Sequence, residues 1–235
     1  MEYTIVPVRE GFYAIEQKGV RCFLFCAKEG SVLIDTGFGG NLLSECRKLT
    51  DGPITLVTTH GDMDHIGADE QFSHQRMHPA EFESYESKNH KKVKAEPLWE
   101  GDVITVGDYR LKVLLIPGHT PGSIALLEEK HKFLISGDSV QSGTVFMHGK
   151  GRNLNAYYYS MMRLQKMYHE GAFDTVYPSH GELCVGADII EDHVALAKGV
   201  LNGSMTPIGP GRASFAPTVM TYGYGKAKLY YDKGE

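Results

Sequence analysis

Residues 60 to 65 read His-Gly-Asp-Met-Asp-His, one residue beyond the apolar run Ile54–Thr58. No other stretch constrains the fold as much. The run is apolar enough for a strand covered on both faces, and it ends at four side chains of metal-ligand type: His60, Asp62, Asp64 and His65. Two imidazoles and two carboxylates this close either repel, sit idle or share a cation. His and Asp are ligands for zinc, iron or manganese. The plain alternative is a polar surface loop, and the rest of the chain weighs against it.

The same logic recurs downstream, where a lone His or Asp follows an apolar segment and sits beside glycine. His119 stands in Pro117-Gly118-His119-Thr120-Pro121-Gly122, Asp138 in Ser136-Gly137-Asp138-Ser139, and His180 in Pro178-Ser179-His180-Gly181. Glycine lets the backbone turn tightly and approach an ion with no side chain in the way. Any one of these residues alone reads as structural. Together with the first motif they predict a metal centre.

Tyr3–Val8, Phe12–Glu16, Val20–Ala27 and Ser31–Ile34 read as short strands, and Leu42, Leu43, Cys46 and Leu49 give Asn41–Leu49 a helical spacing. Pro79–Ser87 reads as a short helix, and Val103–Val106, Tyr109–Ile116, Ile124–Glu128 and Lys132–Ser136 as a second set of strands. Leu154–His169 is amphipathic, with Leu154, Tyr157, Met161, Leu164 and Tyr168 on one face. Thr175–Tyr177 is a brief strand, Ala187–Leu201 a helix, and Pro217–Tyr222 and Ala227–Tyr231 the last strands. Strand-rich blocks that each end in helices, with no repeat or linker, predict one α/β domain over 1–235, a two-sheet sandwich with helices outside.

Composition agrees with this and excludes some partners. A chain of 235 residues, 42% hydrophobic and 23% charged, suits one globular domain. A net charge of −5 leaves no footprint for nucleic acid, and Lys88, Lys91, Lys92 and Lys94 around His90 read as a solvated face. Cys22, Cys26, Cys46 and Cys184 show no paired spacing, which predicts free buried thiols in a reducing cytoplasm. The start has no signal-peptide pattern, and no stretch approaches the ~18 apolar residues of a membrane span. The expectation is a cytoplasmic protein acting on a small molecule, with no nucleic-acid or membrane partner and an open oligomeric state.

In its ligand pattern the chain resembles the metallo-β-lactamase fold hydrolases. The order of a His-x-His-x-Asp-His-type motif at a strand end, a Pro-Gly-His-Thr-Pro-Gly turn, Gly-Asp and Ser-His-Gly is that of the family, from Ser31 to Gly181. Leu-Ile-Asp-Thr-Gly at residues 33 to 37 is similar to its structural turn. The resemblance implies an αββα sandwich of two mixed sheets flanked by helices, with a dinuclear site at the loop end. It implies His60, Asp62 and His119 as ligands of one ion, Asp64, His65 and His180 as ligands of the other, and Asp138 as the bridge. An Asp at 138 is similar to the glyoxalase II, lactonase and phosphodiesterase branches, and unlike the antibiotic-hydrolysing branch, which has Cys there.

One position departs from the pattern: Asp62 stands where the motif has His. Ionised Asp62, Asp64 and Asp138 set three negative charges against four from two divalent ions, so a bridging hydroxide brings the site to about neutral. Less residual charge means a weaker Lewis acid and a site better suited to harder ions such as iron or manganese. A carboxylate here is similar to the Glu of the flavodiiron proteins. Two readings stay open: Asp62 is a ligand, or its short side chain falls short and one ion alone is firmly held.

The resemblance implies a hydrolase in which a metal-bridging hydroxide attacks a small ester, thioester, lactone or phosphodiester. Asp64 orients the nucleophile and passes its proton to the leaving group. The implied cofactors are two divalent ions, zinc first, with iron or manganese brought in by Asp62. The alternatives are a di-iron oxidoreductase of flavodiiron or persulfide-dioxygenase type and a non-catalytic metal-binding protein. Gln141–Tyr159, with Phe146, Met147, His148, Arg152 and Asn153, suits an aromatic or anionic substrate group, while His148 itself reads as a loop residue outside the metal set. Tyr157 fits the core stripe, which leaves Tyr158 or Tyr159 to meet substrate. Ser204–Ala213 is either a lid or a connection to the last strands.

Overall fold

The computed structural model describes residues 2–89, 93–211 and 218–232, with backbone alone at 88 and 89. Of the expectations above, the Lys88 side chain, His90, Lys91 and Lys92 of the basic cluster, residues 212 and 213 of the Gly/Pro-rich tail, and Pro217 lie outside the described residues. The chain separates into two compact units, one ending at Leu114 and the other beginning at Leu115.

The first unit contains, in chain order, β1 (Thr4–Arg9), β2 (Phe12–Gln17), β3 (Val20–Ala27), β4 (Gly30–Ile34), α1 (Leu42–Cys46), β5 (Ile54–Thr58), β6 (His74–Met77), α2 (Phe82–Asn89), β7 (Glu96–Pro97), β8 (Val103–Val106) and all but the last residue of β9 (Tyr109–Leu115). β1 to β7 form one seven-stranded sheet in chain order. It is antiparallel from β1 to β4 and parallel from β4 to β7. β8 and β9 make a hairpin that packs on β3 and β4. The rings of Phe12 and Phe25 stack at 4.3 Å, and Tyr109 meets Phe25 edge-on at 4.9 Å. β5 is buried almost throughout, as its unbroken apolar run requires.

Two differences from the sequence reading have local causes. α1 is shorter than Asn41–Leu49 because Asn41 makes no side-chain cap and the chain tightens into turn bonds, Lys48 N–H to Glu45 O and Leu49 N–H to Cys46 O. β6 reads His-Gln-Arg-Met and carries no strand pattern of its own; it forms because β5 offers it a parallel ladder, Thr55 opposite His74 through Thr58 opposite Met77.

The second unit contains β10 (Ile124–Glu128), β11 (Phe133–Gly137), β12 (Thr144–Met147), α3 (Leu154–His169), β13 (Thr175–Pro178), β14 (Val185–Gly186), α4 (Ile189–Leu201), β15 (Gly209–Pro210), β16 (Met220–Tyr224) and β17 (Ala227–Tyr231). β11 lies between β10, antiparallel, and β13, parallel; β14 adds antiparallel to β13. Every residue of β10 and β11 is buried. A second sheet runs β12-β17-β16-β15, with β12 parallel to β17 and the other pairs antiparallel. α3 and α4 pack on each other, and α4 covers β16 and β17.

α3 starts where Asn153 accepts a bond from the Ala156 N–H, and it buries Leu154, Tyr157, Met161 and Leu164 as the periodicity predicts. Tyr159 is exposed and Tyr158 half-buried. β12 arises inside the segment read as a substrate loop. Its partner β17 is ~80 residues away in sequence, so short-range pattern gave no sign of it. Among the described residues the last hairpin begins at Met220, after Thr218 and Val219, which lie outside the strand. All the cysteines are free, but Cys184 is exposed, which corrects the expectation of buried thiols throughout. Among the described residues no helix is long and apolar enough to cross a membrane.

Candidate metal centre

In the first unit the ligand motif is fixed by a carboxylate on the neighbouring strand. β4 and β5 are parallel with Ile34 opposite Val57, so Asp35 and Thr59 leave adjacent strand ends. The Thr59 N–H and hydroxyl donate to Asp35 Oδ1 and Oδ2, each at 2.7 Å, and Oδ2 also lies 2.7 Å from His65 Nδ1. An ionised carboxylate accepts only, so it holds hydrogen on Nδ1 and leaves His65 Nε2 as the ligand atom. Asp35 takes φ 61°, a left-handed conformation that Asp tolerates better than most residues.

The turn after Asp35 then grips the motif. Thr36 donates to the His65 carbonyl through both its N–H and its hydroxyl, and the Gly67 N–H donates to the Gly37 carbonyl. A Cβ on Gly67 would sit 2.3 Å from the Phe38 carbonyl carbon, so the close approach requires glycine. On the other side Glu81, fully buried, accepts the Gly61 N–H at 2.7 Å and pins the peptide between His60 and Asp62. The outcome is two facing pairs: His60 Nε2 lies 3.6 Å from Asp62 Oδ2, and His65 Nε2 lies 3.9 Å from Asp64 Oδ1. The two imidazole centroids are 4.0 Å apart.

The second unit presents the other expected ligands. Gly118 has φ 143°, and a Cβ there would lie 2.4 Å from the Tyr157 Cα, so the His119 turn is built against α3. The Asn153 N–H donates to the Gly118 carbonyl and the Ser160 hydroxyl to the Pro117 carbonyl. His119 Nδ1 donates to the Phe146 carbonyl on β12 at 2.9 Å, which turns Nε2 toward Asp138 at 3.7 Å. Asp138 follows β11 and His180 follows β13; the strands are parallel, and the Ser179 N–H donates to the Gly137 carbonyl. His180 Nε2 lies 3.3 Å from Asp138 Oδ1. The Asp138 carboxylate therefore faces one imidazole with each oxygen.

These separations fit cations better than direct hydrogen bonds. Two donors at about 2.0–2.1 Å from one tetrahedral ion are roughly 3.3–3.5 Å apart, whereas hydrogen-bonded N and O atoms are ~2.9 Å apart. The 3.3 to 3.9 Å distances within these pairs lie close to the former. The donor set of imidazole nitrogen and carboxylate oxygen suits borderline divalent metals. Behind the motif, burial and then the negative charge of Asp35 push the Cys22 thiol well up, so it remains an inert SH group.

The structure places His60, Asp62, Asp64 and His65 together in one unit and His119, Asp138 and His180 together in the other. Asp35 was legible as part of a turn but not as the partner of His65; an acid closing an apolar strand next to the motif strand was the available signal. Glu81 and the Phe146 carbonyl had none, since each acts through a partner far away in sequence.

Imidazole–carboxylate pairs at the strand ends of a mixed α/β protein make candidate metal sites. Residues 16–180 match the metallo-beta-lactamase superfamily model. An acyl-coenzyme A thioesterase, MBLAC2, of Gallus gallus is 28% identical over 211 residues, covering 74% of this chain and 76% of its own. A hydroxyacylglutathione hydrolase of Bdellovibrio bacteriovorus is 31% identical over 150 residues, covering 60% and 55%. A metallo-beta-lactamase structure from Pontibacter korlensis superposes with a TM-score of 0.70 at 20% identity, covering 84% of this chain and 99% of that one, which shows the α/β sandwich fold. The chain belongs to the metallo-beta-lactamase superfamily and is a metallo-hydrolase of that fold.

Proposed function

We propose that the chain is a single catalytic domain in which the two ligand groups together hold two divalent ions, and that it hydrolyses small thioesters. The observation that carries the dinuclear reading is Asp138, whose two oxygens face His119 and His180 separately, as a bridging carboxylate must. The thioester reading draws on the relatives named for acyl-coenzyme A and hydroxyacylglutathione.

In this reading His60, Asp62 and His119 take one ion and Asp64, His65 and His180 the other. When bound, the ions supply an acidified water and a Lewis acid for the acyl oxygen. Asp35 keeps His65 in the ligating tautomer, and Glu81 holds the Gly61 peptide so that His60 and Asp62 present together. Asp64, half-buried beside His65 Nε2, is the residue that takes a proton from the attacking water and passes it to the leaving thiolate. Asp62 lies close enough to His60 Nε2 to share its ion and lowers the site's net charge. Zinc is the first fit, with iron or manganese as its competitors.

The test is hydrolysis of short acyl-coenzyme A and acyl-glutathione thioesters after loading with zinc, manganese or iron. Activity that disappears in Asp64→Ala and His60→Ala supports the reading. Thioester hydrolysis that survives both substitutions, or ester cleavage with no thioester cleavage, overturns it. Oxygen consumption by iron-loaded protein would replace it with the redox alternative raised by Asp62.

A further inference from the structure

We infer that Tyr157 is a positioning residue: from α3 it fixes the spacing of His119 and Asp138 and so sets how tightly this ligand pair holds a divalent ion. The inference rests on the proposed metal-binding role of those two residues and on no choice of substrate. Tyr157 is fully buried in the core stripe of α3, where a phenylalanine would fill the same space, so its hydroxyl calls for a separate reason. Burial pushes its pKa well up, which keeps it a neutral phenol. The hydroxyl donates to the Ser139 carbonyl at 2.8 Å and lies 2.8 Å from His193 Nδ1 on α4.

Ser139, Val140 and Gln141 follow Asp138 outside the strands, and all three are buried. Their carbonyls lie outside the sheet ladders, and each is met by a side chain. Tyr157 donates to the first, the Ser136 hydroxyl donates to the Val140 carbonyl at 2.7 Å, and His193 Nε2 lies 3.0 Å from the Gln141 carbonyl. A buried carbonyl left without its donor costs about 1–3 kcal/mol, so the segment is held to one placement.

The same tyrosine limits the other ligand. Gly118, one residue before His119, runs against the Tyr157 backbone: a Cβ at Gly118 would lie 2.4 Å from the Tyr157 Cα and 2.5 Å from its N and Cβ. The turn is tied in place there, the Asn153 N–H donating to the Gly118 carbonyl at 2.9 Å and the Tyr157 N–H to the Asn153 carbonyl at 3.0 Å. One residue therefore abuts the neighbour of His119 with its backbone and bonds the neighbour of Asp138 with its side chain. Between those two supports His119 Nε2 lies 3.7 Å from Asp138 Oδ2. Metal–ligand distances hold within about 0.2 Å, so a small drift at Ser139 is enough to spoil the pair.

The test is zinc binding by chelator competition in Tyr157→Phe, which keeps the ring and removes the hydroxyl. Zinc affinity is expected to fall about 10-fold. Val200→Ala, a buried truncation near the other end of α4 from His193, is the control: it should lower the urea midpoint and leave zinc affinity unchanged. If Tyr157→Phe does not fold, His193→Gln takes its place, since it removes the ring that lies against the hydroxyl and the Gln141 carbonyl, and zinc affinity should fall there too. Unchanged affinity in a folded variant, or an equal fall in Val200→Ala, overturns the inference. Zinc held no more tightly by wild type than by His119→Ala overturns it together with the ligand assignment. The expected fall in a protein that cleaves no thioester upholds the inference and overturns the thioester reading instead.

Discussion

His193 should govern the acid limb of this protein's stability. It is fully buried on α4. The Tyr157 hydroxyl donates to the Ser139 carbonyl at 2.8 Å and lies 2.8 Å from His193 Nδ1, while Nε2 lies 3.0 Å from the Gln141 carbonyl and 3.3 Å from the Gln141 N–H. The ring thus faces hydrogen-bond partners inside the protein through both nitrogens. Burial lowers its pKa to about 4, against the opposing pull of the Gln141 backbone and Asp192. The unfolded value is near 6.5, so between those limits the unfolded chain binds more protons and stability falls as pH falls. The drop to about 4 corresponds to roughly 3 kcal/mol in all, of which about 2 kcal/mol is lost between pH 7 and pH 5. Urea unfolding of metal-free wild type and His193→Gln at both pH values isolates this contribution, because every other titrating group is common to both. The wild type should lose about 2 kcal/mol more than the variant on acidification. Equal losses would refute the assignment. The consequence reaches the site, since Tyr157 and Ser139 lie directly behind the His119 turn and Asp138.

Asp35→Asn removes the charge that fixes the His65 tautomer and should weaken metal binding about 10- to 100-fold in a chelator competition. Gly118→Ala drives a Cβ to within 2.4 Å of the Tyr157 Cα at a φ of 143°, and thermal unfolding should report a loss of about 3 kcal/mol or more. Glu81→Ala leaves the buried Gly61 N–H without its carboxylate and should cost about 1–3 kcal/mol in denaturant unfolding, with Glu81→Gln recovering most of it.

The candidate ligands were legible because each is tied to a local signature: an apolar strand, then glycine beside His or Asp. The strands that deliver them, β5, β11 and β13, were legible for the same reason, being short and buried with turn residues at their ends. What escaped was everything set by distant pairing. β6 is a polar segment recruited by the edge of β5, and β12 exists through its register with β17. Glu81 looks like any surface acid until the chain folds it against Gly61. The reach of Asp62 was open on sequence grounds; its carboxylate lies 3.6 Å from His60 Nε2, and its place among the ligands is part of the proposal.

Asp138 is proposed to bridge two ions bound by this chain. Elemental analysis of protein purified without added metal, in wild type and Asp138→Ala, tests it most directly. About two ions per chain are expected in the wild type and at most about one in the variant. Two ions retained by a folded Asp138→Ala protein, or metal-free wild type with full thioesterase activity, would contradict it.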